Sequence, residues 1–231
     1  MFQVSRSVWL PFVVPYVLFV LLTSLEPYAP NYPVAYGLKI ALVTASIAYC
    51  WRLLPLGEPL AVRWTVVSIV AGILLLPLWV GIDDLLQPFY KSLGHFLHLS
   101  SSIGARTQFN PNKIHSTMAK DIFLAVRVFG LSVTVPIAEE VLYRGFISRA
   151  VADQDDFRRV PIGYIGWPAM VVTTILFATS HPEWGSAIIF NAAMLLLTAK
   201  SKNLRSPIIA HAVTNFCLAV YVLTTHQYRF W

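Results

Sequence analysis

Charge is what this sequence has least of. Only 12% of its 231 residues are Asp, Glu, Lys or Arg, while 57% are hydrophobic, and an ordinary soluble domain is about 25% charged. That scarcity excludes a solvated globular surface. The net charge of +6 falls in short clusters between apolar runs, so a nucleic-acid partner is excluded as well. Cysteine is also nearly absent. Cys50 and Cys217 lie far apart in apolar runs, which leaves neither a disulfide framework nor a zinc knuckle. Internal repeats and low-complexity tracts are missing too. What remains is an integral, multi-pass membrane protein whose surroundings are the lipid bilayer, read as one domain over residues 1–231.

A span needs about 20 apolar residues to cross about 30 Å of hydrocarbon. Runs of that kind occur at 8–25, 36–54, 65–82 and 121–143, with three more at 164–181, 184–199 and 206–225. The expected fold is therefore all-α, a polytopic transmembrane bundle of about seven (six to eight) spans around a polar intramembrane cavity. The first run follows a single Arg6 and precedes no small-x-small cleavage site, so it reads as a retained span and not a signal peptide. The turn from Glu26 to Pro33 carries no Lys or Arg. With the N-terminus cytoplasmic, Arg149, Arg158, Arg159, Lys200, Lys202 and Arg205 also fall on the cytoplasmic side, and seven spans put the C-terminus outside.

The polar stretch from Asp83 to Lys120 would lie outside. Its first part, PFYKSLGHFLHL, is amphipathic and is expected along the interface, with His95 and His98 on its polar side. A different difficulty follows Trp167. The 33 residues from Trp167 to Ala199 make roughly 50 Å of helix, short for two full spans and a turn. Pro182 and Gly185 in the middle point to two short helices meeting at a break, SHPEWG, with His181 at the rim of a polar chamber.

Three polar constellations stand in this apolar sequence: Glu139-Glu140-Val-Leu-Tyr-Arg144, Phe177-Ala-Thr-Ser-His181 and His211-Ala-Val-Thr-Asn215. An ionisable group inside a bilayer costs a few kcal/mol unless it is paired or lines a cavity. On a helix Glu140 and Arg144 share a face and can pair, whereas Glu139 is turned about 100° away and is left free. A structural ion pair for Glu140 and Arg144, an interface role for His181, and interhelical bonding for His211 and Asn215 are the plain readings of each motif alone. Together they leave three helices with costly polar groups and no purpose.

As a set these residues supply a general base, two imidazoles and an amide. Glu139 with His181 could hold and deprotonate a water, and His211 with Asn215, one turn apart, could donate to the oxyanion formed when that water attacks an amide carbonyl. Peptide-bond hydrolysis uses all four. The zincin HExxH helix is absent and Asn is an uncommon zinc ligand, so a cofactor-free site is preferred over a zinc site at Glu139, His181 and His211. From another class, a non-hydrolytic immunity factor, chaperone or transporter could keep such a chamber for binding. Outside the motifs, Arg127 is expected to snorkel to the outer interface, with a substrate-carboxylate role as the alternative. Asn191 reads as helix-packing glue, Asp83 and Asp84 as a hydrated helix end, and HQYRFW (His226 to Trp231) as an aromatic interface anchor. His115 and His226 carry no constellation.

The three motifs, in this order, resemble the CPBP family of membrane proteins, which contains type II CAAX prenyl endopeptidases and other glutamic intramembrane proteases. The pattern EExxxR, FxxxH and HxxxN is matched without departure, over about residues 120–225. The resemblance implies an all-helical bundle around a conical cavity open to membrane and water. It also implies that Glu139 and His181 activate the water, His211 and Asn215 form the oxyanion hole, and Glu140 with Arg144 supports the site. The stretch from HPEW to the final Trp is most similar to CAAX-protease-related proteins that accompany bacterial exosortase sorting systems. This implies a bacterial inner membrane and a membrane-tethered protein substrate with a C-terminal sorting signal. The first 120 residues add spans but no matching motif.

Overall fold

The computed structural model describes residues 8–54, 56, 58–96 and 109–231. Arg6, His98 and Arg106, the first two of which figured in the expectations above, lie outside those residues. The described chain forms seven long helical segments: α1 (Leu10–Leu25), α2 (Tyr32–Cys50), α3 (Val62–Phe96), α4 (Thr117–Ala152), α5 (Trp167–Thr179), α6 (Trp184–Ser201) and α7 (Arg205–Thr225). Five stretches, Leu10–Tyr28, Tyr32–Leu53, Val62–Leu93, Thr117–Ala152 and Arg205–Thr225, are long and apolar enough to cross a membrane, and Trp167–Thr179 is a shorter apolar helix. The expected all-α bundle is thus the observed one.

The helix ends have local causes. Asn31 caps α2 by accepting a hydrogen bond from the Val34 N–H at 3.3 Å, and Pro33 stands just inside. Ser116 caps α4 in the same way through the Ala119 N–H. Pro182 cannot extend α5 and disfavours helical backbone at His181, so α5 stops at Thr179. The break expected at SHPEWG is observed over residues 180–183, and α6 resumes at Trp184. Its start is held by the Tyr90 hydroxyl, which accepts the Gly185 N–H at 3.1 Å. Any Cβ at 185 would come within 2.2 Å of Leu86 and 2.8 Å of that hydroxyl, which is why glycine stands there.

Two spans and the C-terminal tail differ from expectation. Helix α3 runs unbroken to Phe96 through Pro77 and Pro88, so the described part of PFYKSLGHFLHL continues α3 and is not a separate interfacial helix. Helix α4 begins before 121 and ends after 143. It contains two π-helical stretches, Gly130–Thr134 and Val141–Ile147, on either side of the six residues that carry Glu139 and Glu140. Such π segments shift register and free backbone carbonyls, and they recur at functional sites. Asp83 is not at a hydrated end but within α3, fully buried and ion-paired with Arg229 at 3.3 Å. Arg229 also binds Asp84. The tail therefore folds back over the bundle, with Phe230 buried, and does not stand out as an interface anchor.

The bundle buries a set of polar groups within its apolar core and is apolar outside. Leu21, Leu38, Leu74 and Ile73 are exposed, whereas Glu139, Glu140, Arg144, Asn191 and His211 are buried, the arrangement that a lipid surround favours. Helices α3 and α7 cross closely at Gly72, whose carbonyl accepts the Thr214 hydroxyl at 2.9 Å. A Cβ on Gly72 would lie 2.5 Å from the Ala210 carbonyl oxygen and 2.7 Å from Val213 Cβ. Gly72→Leu is therefore expected to push α7 off α3 and lower the melting temperature of the purified protein. Gly81, with open space at its Cβ position, serves as the control, and Gly81→Ala should leave that temperature near wild type.

Candidate active site

Each motif reaches the interior from a different helix. The first lies on α4, the second at the end of α5, and the third on α7. Glu139, His181, His211 and Asn215 all line one cavity of about 330 Å³, roofed by Trp79, Phe177 and Phe190. Phe190 and Trp79 meet edge to face at 5.6 Å, and Phe190 and Phe177 stack at 5.9 Å. The volume is room for several waters at about 30 Å³ each.

Glu139 is 4% exposed, and its Oε2 atom is buried without a hydrogen-bond partner among the described residues. It is the free acid of the adjacent pair. Glu140 is ion-paired. Its Oε1 accepts from Arg144 Nη1 at 3.3 Å and from His211 Nδ1 at 2.9 Å. Its Oε2 approaches Arg144 Nε at 3.2 Å, an ion pair without hydrogen-bond alignment. Arg144 in turn donates through Nη2 to Asn191 Oδ1 at 2.6 Å, and its guanidinium sits 5.2 Å from the Phe177 ring centre. Asn191 donates onward to the Thr174 hydroxyl at 2.9 Å. The expected helix-packing asparagine is thus the clamp that ties α6 and α5 to Arg144.

These contacts fix the imidazole tautomers, because a carboxylate or carbonyl oxygen can only accept. His211 Nδ1 donates to Glu140. His181 Nδ1 donates to the Phe177 carbonyl at 2.8 Å, with the Ser180 hydroxyl 3.1 Å away. In both rings Nε2 is the nitrogen left for other work. The His181 ring is held between Phe177, at 4.5 Å, and Trp79, at 5.6 Å. Asn215 spends one amide N–H on the Leu131 carbonyl at 2.9 Å, in the first π stretch of α4. Its second N–H is not committed to that bond.

Beyond the motif residues, the cavity extends to Lys39, Arg127 and Trp231. Arg127 does not snorkel outward. It is 7% exposed, donates from Nη1 to the Tyr32 hydroxyl at 2.8 Å, and lies 4.5 Å from the Tyr36 ring centre. Aromatic rings of α2 and the returning tail wall it in before it can reach an interface. Lys39 is buried against Glu26 at 2.6 Å. Trp79 and Lys39 were missed by sequence reasoning. Lys39 had a signal, an ionisable residue inside an apolar run, whereas Trp79 is one aromatic among many. Among the described residues no group of three or more His, Cys, Asp or Glu side chains is gathered so that it could hold a metal ion.

A polar chamber lined from several helices of an apolar bundle defines a class, the helical membrane proteins with an intramembrane site. Residues 121–217, which carry all three motifs, match the family model of the Type II CAAX prenyl endopeptidase Rce1-like proteins. That stretch is therefore similar to this family of membrane endopeptidases, as its motifs indicated. No curated protein and no solved structure matches the chain.

Proposed function

We propose that this chain is an intramembrane endopeptidase that hydrolyses a peptide bond of a membrane-associated protein with a water activated by Glu139. The observation that carries the reading is the buried Glu139 Oε2 atom, without a hydrogen-bond partner among the described residues, in the cavity that His181, His211 and Asn215 also line. A buried carboxylate oxygen with no protein donor is satisfied by water. Glu139 takes that water's proton as it attacks the scissile carbonyl, and the free Nε2 of His181 accepts the water's second hydrogen bond. Charge then develops on the carbonyl oxygen. The second N–H of Asn215 donates to it, and His211, its ring fixed by the Glu140 carboxylate on Nδ1, joins when its Nε2 carries a proton. Proton return from Glu139 to the leaving amine completes the cycle without a covalent intermediate. A substrate from an exosortase-type sorting system in a bacterial inner membrane, and a cytoplasmic N-terminus, belong to the same proposal.

The test is turnover of membrane-anchored peptide pools by the purified protein in liposomes. Turnover should persist after EDTA treatment. His211→Ala and Asn215→Ala should each reduce it by about 10²–10³, the usual effect of a lost oxyanion donor, with yield unchanged. Chelator-sensitive turnover, or normal turnover in both variants, would sink these roles.

A further inference from the structure

The cavity is electrically lopsided. At the Glu139 end, two carboxylates meet one guanidinium, because Arg144 pairs with Glu140 and the Glu139 Oε2 atom has no hydrogen-bond partner among the described residues. At the far end the balance is reversed. Lys39 already holds the carboxylate of Glu26, and Arg127 has no ion pair among the described residues. Its Nε is buried without a hydrogen-bond partner among the described residues, and of its five N–H donors one serves the Tyr32 hydroxyl. The rings of Tyr36 and Trp231, the latter at 5.4 Å, lie beside it, and Lys39 lines the same cavity. Rings attract a cation but accept few hydrogen bonds. A guanidinium so enclosed, with a fork of donors to spare, is built for a planar anion that brings two acceptor oxygens.

Building on the peptidase reading, we propose that Arg127 is the carboxylate subsite of this cavity and binds a carboxyl group of the substrate peptide on one side of the cleaved bond. Helix geometry sets the spacing. Arg127 and Glu139 are twelve positions apart on α4, at most about 18 Å at the α-helical 1.5 Å per residue, because the π stretch Gly130–Thr134 between them is wound wider and rises less. An extended peptide covers that in about five residues at 3.3–3.6 Å each. A C-terminal carboxylate on Arg127 therefore places the scissile bond four or five residues from the end of the chain. A side-chain carboxylate in the same register would serve the same donors.

Binding is measured on the Glu139→Gln protein in detergent, so that no turnover is needed, with three mixed pools of N-acetylated octapeptides: free acids, C-terminal amides, and amides carrying one Glu. Retention on immobilised protein is read by mass spectrometry. Acids should be enriched over plain amides by about tenfold or more, as expected for a charge-assisted contact. Adding Arg127→Gln should abolish that enrichment without changing amide retention, and Arg127→Lys should restore part of it. Enrichment of the Glu-bearing amides would assign the carboxylate to a side chain. Equal retention of all pools, no retention of any, or a uniform loss in Arg127→Gln would overturn the subsite. The two readings fail separately. Hydrolysis by wild type without acid preference removes the subsite alone, and acid preference with no hydrolysis of any pool removes the peptidase alone.

Discussion

Glu139→Gln is expected to lower turnover by about 10²–10⁴, the range that a positioned general base supplies, while yield and melting temperature stay near wild type. The two halves of that result have one cause. Glu139 is buried, yet its Oε2 atom has no donor among the described residues, so the isosteric neutral amide strands no partner there and removes a charge that the bundle does not need for packing. The base is lost, and the fold is not. Glu139→Asp retains the charge but draws the carboxylate back along the side chain. A misplacement on the order of 1 Å costs about 10² in rate, and this variant should show it. The measurements are liposome turnover and thermal unfolding of the same preparations. Full turnover in both Glu139→Gln and Glu139→Ala would end the water-activation role, and a loss of yield in step with activity would make Glu139 structural.

The fold was readable where hydrophobic runs and breakers act locally. Pro182 ended α5 as anticipated, and so His181 meets Glu139 in one cavity instead of lying on the opposite side of the bundle. Spacing was equally informative at Glu140 and Arg144, which pair across one turn. What the sequence hid was long-range. Nothing local shows that Glu140 also accepts from His211, seventy-one positions away, or that Asn191 clamps Arg144. Asp83 read as hydrated because its partner, Arg229, comes from a tail whose return over α3 has no local signature. Arg127 misled for a related reason. Snorkelling assumes a free path to the interface, and the rings of Tyr32, Tyr36 and Trp231 close that path. The π stretches of α4 were also invisible, since GLSVT and VLYRGFI contain no residue pattern that distinguishes a π turn from an α turn.

Arg144→Ala should be the most destructive single change, lowering stability by about 3–5 kcal/mol because it strands a buried carboxylate. Glu140 would retain only the His211 N–H, and Asn191 would lose the guanidinium it clamps. Glu140→Ala should do comparable harm from the other side, leaving Arg144, 1% exposed, as an unpaired cation among Phe177 and Tyr143. Both should give poor yield and low activity, which alone would not separate a structural role from a catalytic one. The double substitution does. Replacing both members of a buried pair by apolar residues of similar length is often neutral or stabilising, so Glu140→Met with Arg144→Met should recover yield and melting temperature relative to either single variant. Turnover should not recover, because His211 Nδ1 then has no acceptor to fix its ring at the cavity wall. A double variant that regains both stability and rate would show that the pair serves only packing. Single variants that keep full yield would show that the network joining α4, α6 and α7 is not what holds His211 at the cavity wall.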